Sequence, residues 1–187
     1  MSRNIRKTTG LLAAVATLSF AAAAVALPIE ARVGSGDSMA SVVVQFDGGD
    51  KYLFEVRFES SVTTTGLDLM KTLDAEVVGF DIALLDFGFG EFVDGVSYMG
   101  HDNSGFVPPD GWWHYWTGDA ANGEWTESQV GAGDRVVSDG DWDGWRWGSA
   151  APPSLPPGAA VPLLGVAGQL LLTVGLALAG AVRLRRC

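Results

Sequence analysis

Charge is distributed along this 187-residue chain in three blocks, and the two outer blocks carry no acidic residue. All 22 acidic residues and six of the twelve basic residues lie within residues 27–160, which therefore have a net charge of -16. Each outer block combines a long uncharged apolar stretch with a short basic cluster. Because such stretches are favoured in lipid, the pattern predicts that the ends and the middle occupy different environments.

Residues 1–26 have the order of a secretory signal peptide. Three basic residues precede the apolar run Leu11–Phe20, and small residues at 24–26 supply a small-x-small cleavage site. An uncleaved membrane anchor is the less favoured alternative, because the apolar run is shorter than the ~20 residues that span a bilayer. The N-terminus therefore predicts export from the cytoplasm.

Residues 161–182 are predicted to form a transmembrane helix. These 22 consecutive residues are uncharged, and a helix of that length reaches about 33 Å, which matches the hydrocarbon core. The tail 183–187 contains a membrane stop that the positive-inside rule places in the cytoplasm, namely Arg183, Arg185 and Arg186. Both ends together predict an acidic ectodomain outside the cytoplasmic membrane.

The order of a short proline-containing motif, an apolar helix and a terminal arginine cluster resembles the PEP-CTERM family of bacterial sorting signals. The motif position holds Val161, Pro162, Leu163 and Leu164 in place of the usual Pro-Glu-Pro. The resemblance implies a partner, an exosortase-type protease that processes the motif and passes the protein to the surface. It thereby implies a location at the cell membrane or cell surface of a bacterium. A permanent single-span anchor is the alternative, and Cys187 is then either lipidated or unused.

The middle block divides into three parts by composition. Residues 27–40 are weakly patterned and are interpreted as an N-terminal extension. Residues 149–160 contain four of the eight prolines and no charge, which is typical of a semi-extended linker outside any core. Residues 41–148 remain as the globular domain, and just over 100 residues suffice for one modest core.

The pattern within 41–148 predicts one helix among several strands. Strand signals occupy 41–46, 52–59, 77–86 and 91–99. Residues 65–73 change to helical spacing, and Thr65 with Asp68 forms a start that is similar to a capping box. We therefore predict an α+β domain with one helix packed on a mainly antiparallel sheet.

All seven tryptophans lie between residues 112 and 147. They are interpreted either as packing groups in a small core without disulfides or as a stacking platform for sugars or another flat ligand. Strand alternation places Trp145 and Trp147 on one face, and it separates Trp112 and Trp116 from Trp113, which predicts at least one exposed ring. The candidate ligand-binding residues are Trp112, Trp113, Tyr115, Trp116, Trp125, Trp145 and Trp147.

Residues 51–148 resemble the transcobalamin C-terminal-like family of domains of unknown function. The resemblance rests on stretches in the family's order, at 64–71, 111–116, 130–133, 138–141 and 144–147. It implies a small β-grasp-like fold. It also implies cobalamin as a candidate ligand, because the related domain of the vertebrate vitamin carriers covers one side of that cofactor.

Asp139, Asp141 and Asp143 match the first half of a calcium-binding loop, in which alternate oxygens converge on Ca²⁺. The second half is absent, since the twelfth position is Ala150, and an Asp-Gly-Asp turn before a final strand is the favoured alternative. His101 and His114 are 13 residues apart with no cysteine near them, which is unlike a structural zinc site. No cofactor is therefore predicted, with Ca²⁺ and cobalamin kept as candidates.

Catalytic patterns are weak throughout the chain. The sequence lacks a Gly-x-Ser-x-Gly motif, and the acidic middle is a poor match for a nucleic acid partner, which requires clustered basic residues. We therefore expect a non-enzymatic exported domain that binds a surface glycan or protein. The alternatives are a secreted hydrolase that acts on glycans with two carboxylates as acid and base, and a cobalamin-binding protein.

Overall fold

The computed structural model describes residues 27–88, 90–109 and 111–158. The predicted signal peptide, the sorting motif at 161–164, the transmembrane segment 161–182 and the arginine cluster lie outside the described residues. Within the described ranges, no helix combines the length and the apolar character that a bilayer span requires.

Nine strands and one α-helix make up the described part of the chain. The helix α1 spans Gly66–Glu76, and a short 3₁₀ turn covers Asp47–Gly49. The strands are β1 Ile29–Gly34, β2 Ser38–Gln45, β3 Lys51–Phe58, β4 Asp81–Asp86, β5 Glu91–Tyr98, β6 His101–Ser104, β7 Trp113–Asp119, β8 Glu124–Glu127 and β9 Trp142–Trp147.

The strands form two sheets. Six strands form a mixed sheet in the order β1-β3-β2-β9-β7-β8, and β4-β5-β6 form an antiparallel sheet. Of the seven ladders in the described residues, only β1 with β3 and β2 with β9 are parallel. The prediction of one helix with mainly antiparallel strands is confirmed at this level.

Helix α1 and the smaller sheet cover one face of the six-stranded sheet, here called the inner face. Alternate residues of β2 and β3 point to this face, and Val42, Val44, Phe54 and Val56 are almost completely buried. From α1, the buried side chains are Leu67, Leu69, Met70 and Leu73, at the spacing of an amphipathic helix. The principal core therefore lies between the helix, the small sheet and the centre of the large sheet.

The ends of α1 follow from local chemistry. The Thr65 side chain accepts a hydrogen bond from Asp68 N, and the Asp68 carboxylate accepts one from Thr65 N at 2.9 Å, so the predicted capping box is confirmed. The helix continues to Glu76, beyond the predicted end. The predicted strand at 77–86 is wrong for its first four residues, because Val77 and Phe80 are buried in the turn that brings the chain back to β4.

Both predicted domain boundaries require correction. The extension 27–40 contains β1, which pairs in parallel with β3, and the start of β2. The prediction that 149–160 is a linker outside the core is wrong for residues 151–158, which we call the strap. Here Pro153, Leu155 and Pro157 are buried against the face of the large sheet opposite α1, the outer face. The proline rings fit on that face because Gly118 and Gly144 have no side chain there. Composition alone did not indicate this fit.

Gly66→Ala tests how tightly α1 fits the large sheet. A Cβ atom on Gly66 would lie 2.2 Å from Tyr115 Oη and 2.6 Å from Asp143 Oδ2, two atoms that are hydrogen-bonded to each other. We expect the free energy of unfolding to fall by at least about 2 kcal/mol, measured by urea denaturation. Gly131→Ala is the matched control, since its nearest contact would be 3.8 Å away. Equal losses for both variants would contradict this account.

Candidate functional site

An open cleft lies between the two sheets at the N-terminal end of α1. Its outer part, of about 830 Å³, is bounded by the start of α1, the turn between β4 and β5, and the loop 129–134. Its inner part, of about 300 Å³, extends under Phe92 and Val93 of β5 to the inner face of the large sheet. The two parts share lining residues on β5 and on the loop, so they form one continuous site.

Three of the predicted ligand-binding aromatics form the floor of the inner part: Trp113, Tyr115 and Trp145. Strand alternation places Trp113 and Tyr115 on one face of β7, and Tyr115 lies directly opposite Trp145 of β9. The Tyr115 and Trp145 rings stack with centroids 4.6 Å apart. Trp147 supports this floor, with its centroid 5.6 Å from that of Trp113, and shares the face of Trp145 as predicted.

The floor carries a hydrogen-bond donor that the protein does not use. Trp145 is only 4% exposed, and its Nε1 has no hydrogen-bond partner in the structure. A buried indole N–H usually has a partner, because leaving it unpaired costs about 1–3 kcal/mol. Trp145 lines the inner part of the cleft through its ring, but its Nε1 atom has almost no exposed surface, so a ligand acceptor reaches this donor only if the floor shifts.

Acidic side chains dominate the charged residues around the outer part of the cleft: Asp68, Asp86, Glu91 and Asp134. Lys71 is the basic residue that lines it, and its Nζ lies 2.6 Å from Glu91 Oε2. Asp68 is already engaged in the helix cap. The cleft entrance is therefore electronegative, which disfavours anionic ligands.

A buried polar network lies next to the cleft floor, beneath the first residue of α1. Asp143 is 0% exposed, and its Oδ2 accepts a hydrogen bond of 2.7 Å from Tyr115 Oη. The Arg135 guanidinium lies 3.1 Å from Asp141 Oδ2, with a hydrogen bond, and 3.3 Å from Asp143 Oδ1 as an ion pair. This network fixes the Tyr115 ring, and through it the stack on Trp145.

Burial controls the ionisation of this network. Burial raises the pKa of Asp143 to about 6, and the charge of Arg135 and the hydrogen bond from Tyr115 only partly offset that effect. The pKa of Tyr115 is raised far above its usual value by burial and by the neighbouring Asp143 carboxylate. Tyr115 therefore remains a hydrogen-bond donor at every physiological pH.

The three aspartates of the calcium pattern each have partners within the protein. Asp139 Oδ1 accepts a hydrogen bond from Met39 N, and Asp141 Oδ2 accepts from Ser138 N and from Arg135. Asp143 points instead into the core, towards Tyr115. The described residues contain no cluster of three or more metal-ligating side chains. Arg135 thus lies between Asp141 and Asp143, where the pattern suggested a bound cation.

The remaining tryptophans do not join the cleft. Trp116, Trp125 and Trp142 lie on the outer face, because alternation along β7, β8 and β9 turns them away from α1. Trp112 precedes β7 and stacks on Phe106, with centroids 4.8 Å apart. No tryptophan in the described residues is fully exposed, so the expectation of an exposed ring is wrong. Four are buried and three are half-buried, which favours packing as the main role of most of them.

The two histidines also lie in different surroundings. His101 on β6 stacks on Phe46, with centroids 4.8 Å apart, and its Nε2 lies 3.6 Å from Asp50 Oδ2. His114 is buried on β7 beside Trp112, and its Nε2 has no hydrogen-bond partner. Among the contacts of the described residues, no carboxylate and no aromatic ring lies next to both histidines.

Several cleft residues carried no signal in the sequence. Val93 and Gln129 line the inner part, and Arg135 holds the network below it. Only the stretch 130–133, which includes the lining residue Ala132, marked this loop, as a turn that resembles the transcobalamin-like family. Its approach to β5 depends on how the two sheets pack, which a local pattern does not encode.

Comparison of the chain with known protein families and with curated protein sequences found no match. The two family resemblances described above therefore stay predictions.

Asp143→Asn tests the ionisation of the buried network. The ordinary pKa of an aspartate is 3.8, and that of Asp143 in the folded chain is about 6. At pH values between these two, Asp143 keeps its proton in the folded chain but has lost it in the unfolded chain. The stability of the natural protein therefore falls as pH rises through this window, by up to about 3 kcal/mol, whereas the asparagine variant has no proton to lose. We expect the stability of the variant relative to the natural chain to increase over this window and then to level off.

Urea denaturation at a series of pH values measures this difference. Asp81→Asn, which removes an exposed carboxylate from β4, controls for the change in net charge. A difference that stays constant from about pH 4 to about pH 7 would mean that burial does not affect the ionisation of Asp143.

Proposed function

We propose that this protein is an exported, membrane- or surface-anchored, non-enzymatic domain that binds a ligand in the cleft between its sheets. The observation that carries this proposal is the aromatic floor of the cleft, which Trp113, Tyr115 and Trp145 form together. Binding sites typically combine an apolar concave surface with a few polar groups that orient the ligand. The cleft fits this description, because the network of Tyr115, Asp143 and Arg135 holds the floor in place.

The ligand class that suits the cleft best is a neutral surface glycan. A sugar ring offers an apolar face to the aromatic floor, and one of its hydroxyl oxygens can accept from Trp145 Nε1 if the floor shifts to expose that buried atom. Its other hydroxyls donate to the carboxylates of Asp86 and Asp134 at the entrance, which would repel an anionic ligand. A protein ligand that presents a similar neutral surface is the alternative.

The proposed location depends on the two ends of the chain. Residues 1–26 direct export, residues 161–182 span the membrane, and the arginines at 183, 185 and 186 remain in the cytoplasm. In this proposal, an exosortase-type protease recognises the motif that begins at Val161. The net charge of -16 over residues 27–160 is consistent with a soluble ectodomain.

We further propose a β-grasp-type topology for the domain, with a likeness to the transcobalamin C-terminal-like family. The hairpin of β2 and β3, followed by α1 and by a late strand that returns parallel to β2, supports this assignment. Cobalamin is accordingly the third candidate ligand. Mixing the protein with cobalamin tests it directly, since binding shifts the visible absorbance of the corrin.

A glycan hydrolase is the second candidate function, and the acidic entrance of the cleft favours it. Two carboxylates that flank a bound sugar are the minimum requirement for glycosidic cleavage. Asp86 and Asp134 are the available pair, because Asp68 caps α1 and Glu91 is paired with Lys71. Product formation separates this function from binding alone.

Trp145→Phe tests the cleft as a glycan site. The full chain in detergent is screened on a panel of neutral and acidic glycans for both binding and product. Loss of the indole N–H should weaken the binding of a neutral glycan about tenfold, the equivalent of one hydrogen bond. Trp112→Phe, on a ring outside the cleft, should leave the affinity unchanged. Turnover, or equal affinities for both variants, would contradict non-enzymatic binding in the cleft.

The mass and fractionation of the mature protein test the proposed location. We expect a species that begins at Leu27 in the membrane or cell-surface fraction, with a C-terminus either intact or cut near Val161. Replacement of Arg183, Arg185 and Arg186 by glutamine should reduce correct insertion. A soluble cytosolic protein that retains both Met1 and Cys187 would contradict this proposal.

A further inference from the structure

The outer face of the six-stranded sheet contains a groove that the strap occupies. Gly118 of β7 lies opposite both Trp142 of β9 and Trp125 of β8. Two pairs further along the β7–β9 ladder, Gly144 lies opposite Trp116. The indole rings thus alternate with positions that have no side chain. We call this surface the tryptophan–glycine groove.

The strap fits the groove through its prolines and one leucine. A Cβ atom on Gly118 would lie 2.4 Å from Pro157 Cγ, and one on Gly144 would lie 2.8 Å from Pro153 Cγ, so only glycine admits these rings. Leu155 between them is 6% exposed and packs in a second core cluster with Val43, Leu53 and Trp142. Alternate strap residues are therefore buried, which requires an extended backbone.

Polar atoms of the strap also form specific hydrogen bonds with the large sheet. Trp125 Nε1 donates to Leu155 O at 2.7 Å, and Gln45 Oε1 accepts from Ser154 N at 2.8 Å. Lys51 Nζ donates to Ser154 Oγ at 3.1 Å. An indole that donates to the carbonyl of an extended proline-rich segment is the usual chemistry of aromatic grooves that bind such peptides.

The attachment of the strap to the sheet allows exchange. The segment 148–150 joins the end of β9 to the strap, and Gly148, Ala150 and the first strap residue Ala151 are exposed. Gly148 has a φ of 65°, which glycine adopts without strain. Only one strap leucine and two prolines are buried, so release of the strap disturbs the outer cluster and leaves the larger inner core intact.

We propose that the tryptophan–glycine groove binds the strap of a second copy of this chain, so that two copies exchange straps and form a dimer. Each exchanged strap makes in trans the contacts that it makes in cis, and exchange of identical elements is a low-cost route to dimers. Crowding of copies raises the concentration of straps near each groove and favours the exchanged form. The strap carries no charge, so the association is insensitive to salt.

Mixing two variants of the full chain in detergent tests this proposal. Leu155→Asp leaves the groove intact and disables the strap, because burial of an unpaired carboxylate is strongly unfavourable. Gly118→Val leaves the strap intact and blocks the groove at Pro157. We expect each variant alone to be monomeric and the mixture to form a one-to-one dimer, detected by affinity capture through different tags. Two folded variants that do not associate would overturn the proposal.

A second experiment, which needs neither variant, uses a chain that is cut between β9 and the strap. A specific protease sequence replaces residues 149–151, and the folded chain is cut before a labelled peptide of residues 149–158 is added. We expect the peptide to replace the strap, and the same peptide with Leu155→Asp to bind about 100-fold more weakly or not at all. Failure of the natural peptide to bind, or equal binding of both peptides, would overturn the proposal.

Discussion

The parallel pairing of β2 with β9 is the interaction on which the rest of the structure depends. It places a strand from near the end of the described chain in the middle of the large sheet, between β2 and β7. Asp143 then lies beneath α1, Trp145 lies on the cleft floor, and Gly144 faces the strap. Loss of this one ladder would separate the cleft, the buried network and the outer groove.

The two faces of the large sheet are stabilised in different ways. The inner face has a broad apolar core under α1 and the small sheet, and it tolerates the buried Asp143 because Tyr115 and Arg135 contact both of its oxygens. The outer face has a small cluster in which Leu155 of the strap is an essential member. This difference is the reason why the proposed ligand site lies in the inner cleft and the proposed exchange of a segment involves the outer groove.

The charge distribution connects the proposed site with the proposed location. Acidic residues around the cleft entrance disfavour anionic ligands, and the basic residues at both chain ends lie outside the acidic block. Neutral ligands and uncharged segments are therefore the partners that the described surfaces accommodate best. Both proposed interactions use neutral partners, one in the cleft and one in the groove.

Local patterns in the sequence predicted the features that depend on neighbouring residues. The capping box at Thr65, the alternation in β3 and the shared face of Trp145 and Trp147 follow from the geometry of single elements. The three charge blocks likewise follow from composition alone, and they are the basis for the proposed export.

Tertiary structure decided the features that join distant segments. Pairing of β1 with β3, contact of Ser154 with Gln45, and the ion pair of Arg135 with Asp143 all depend on packing between elements. Composition therefore misassigned the strap as a linker, because its burial depends on glycines in β7 and β9. The sequence alone predicted the helix, the strands β2, β3 and β5 and the candidate membrane segments, since these depend on local periodicity and apolar length, but it did not mark β1 as a strand. Packing alone decided where the cleft lies, since a cleft exists only between elements that the chain brings together.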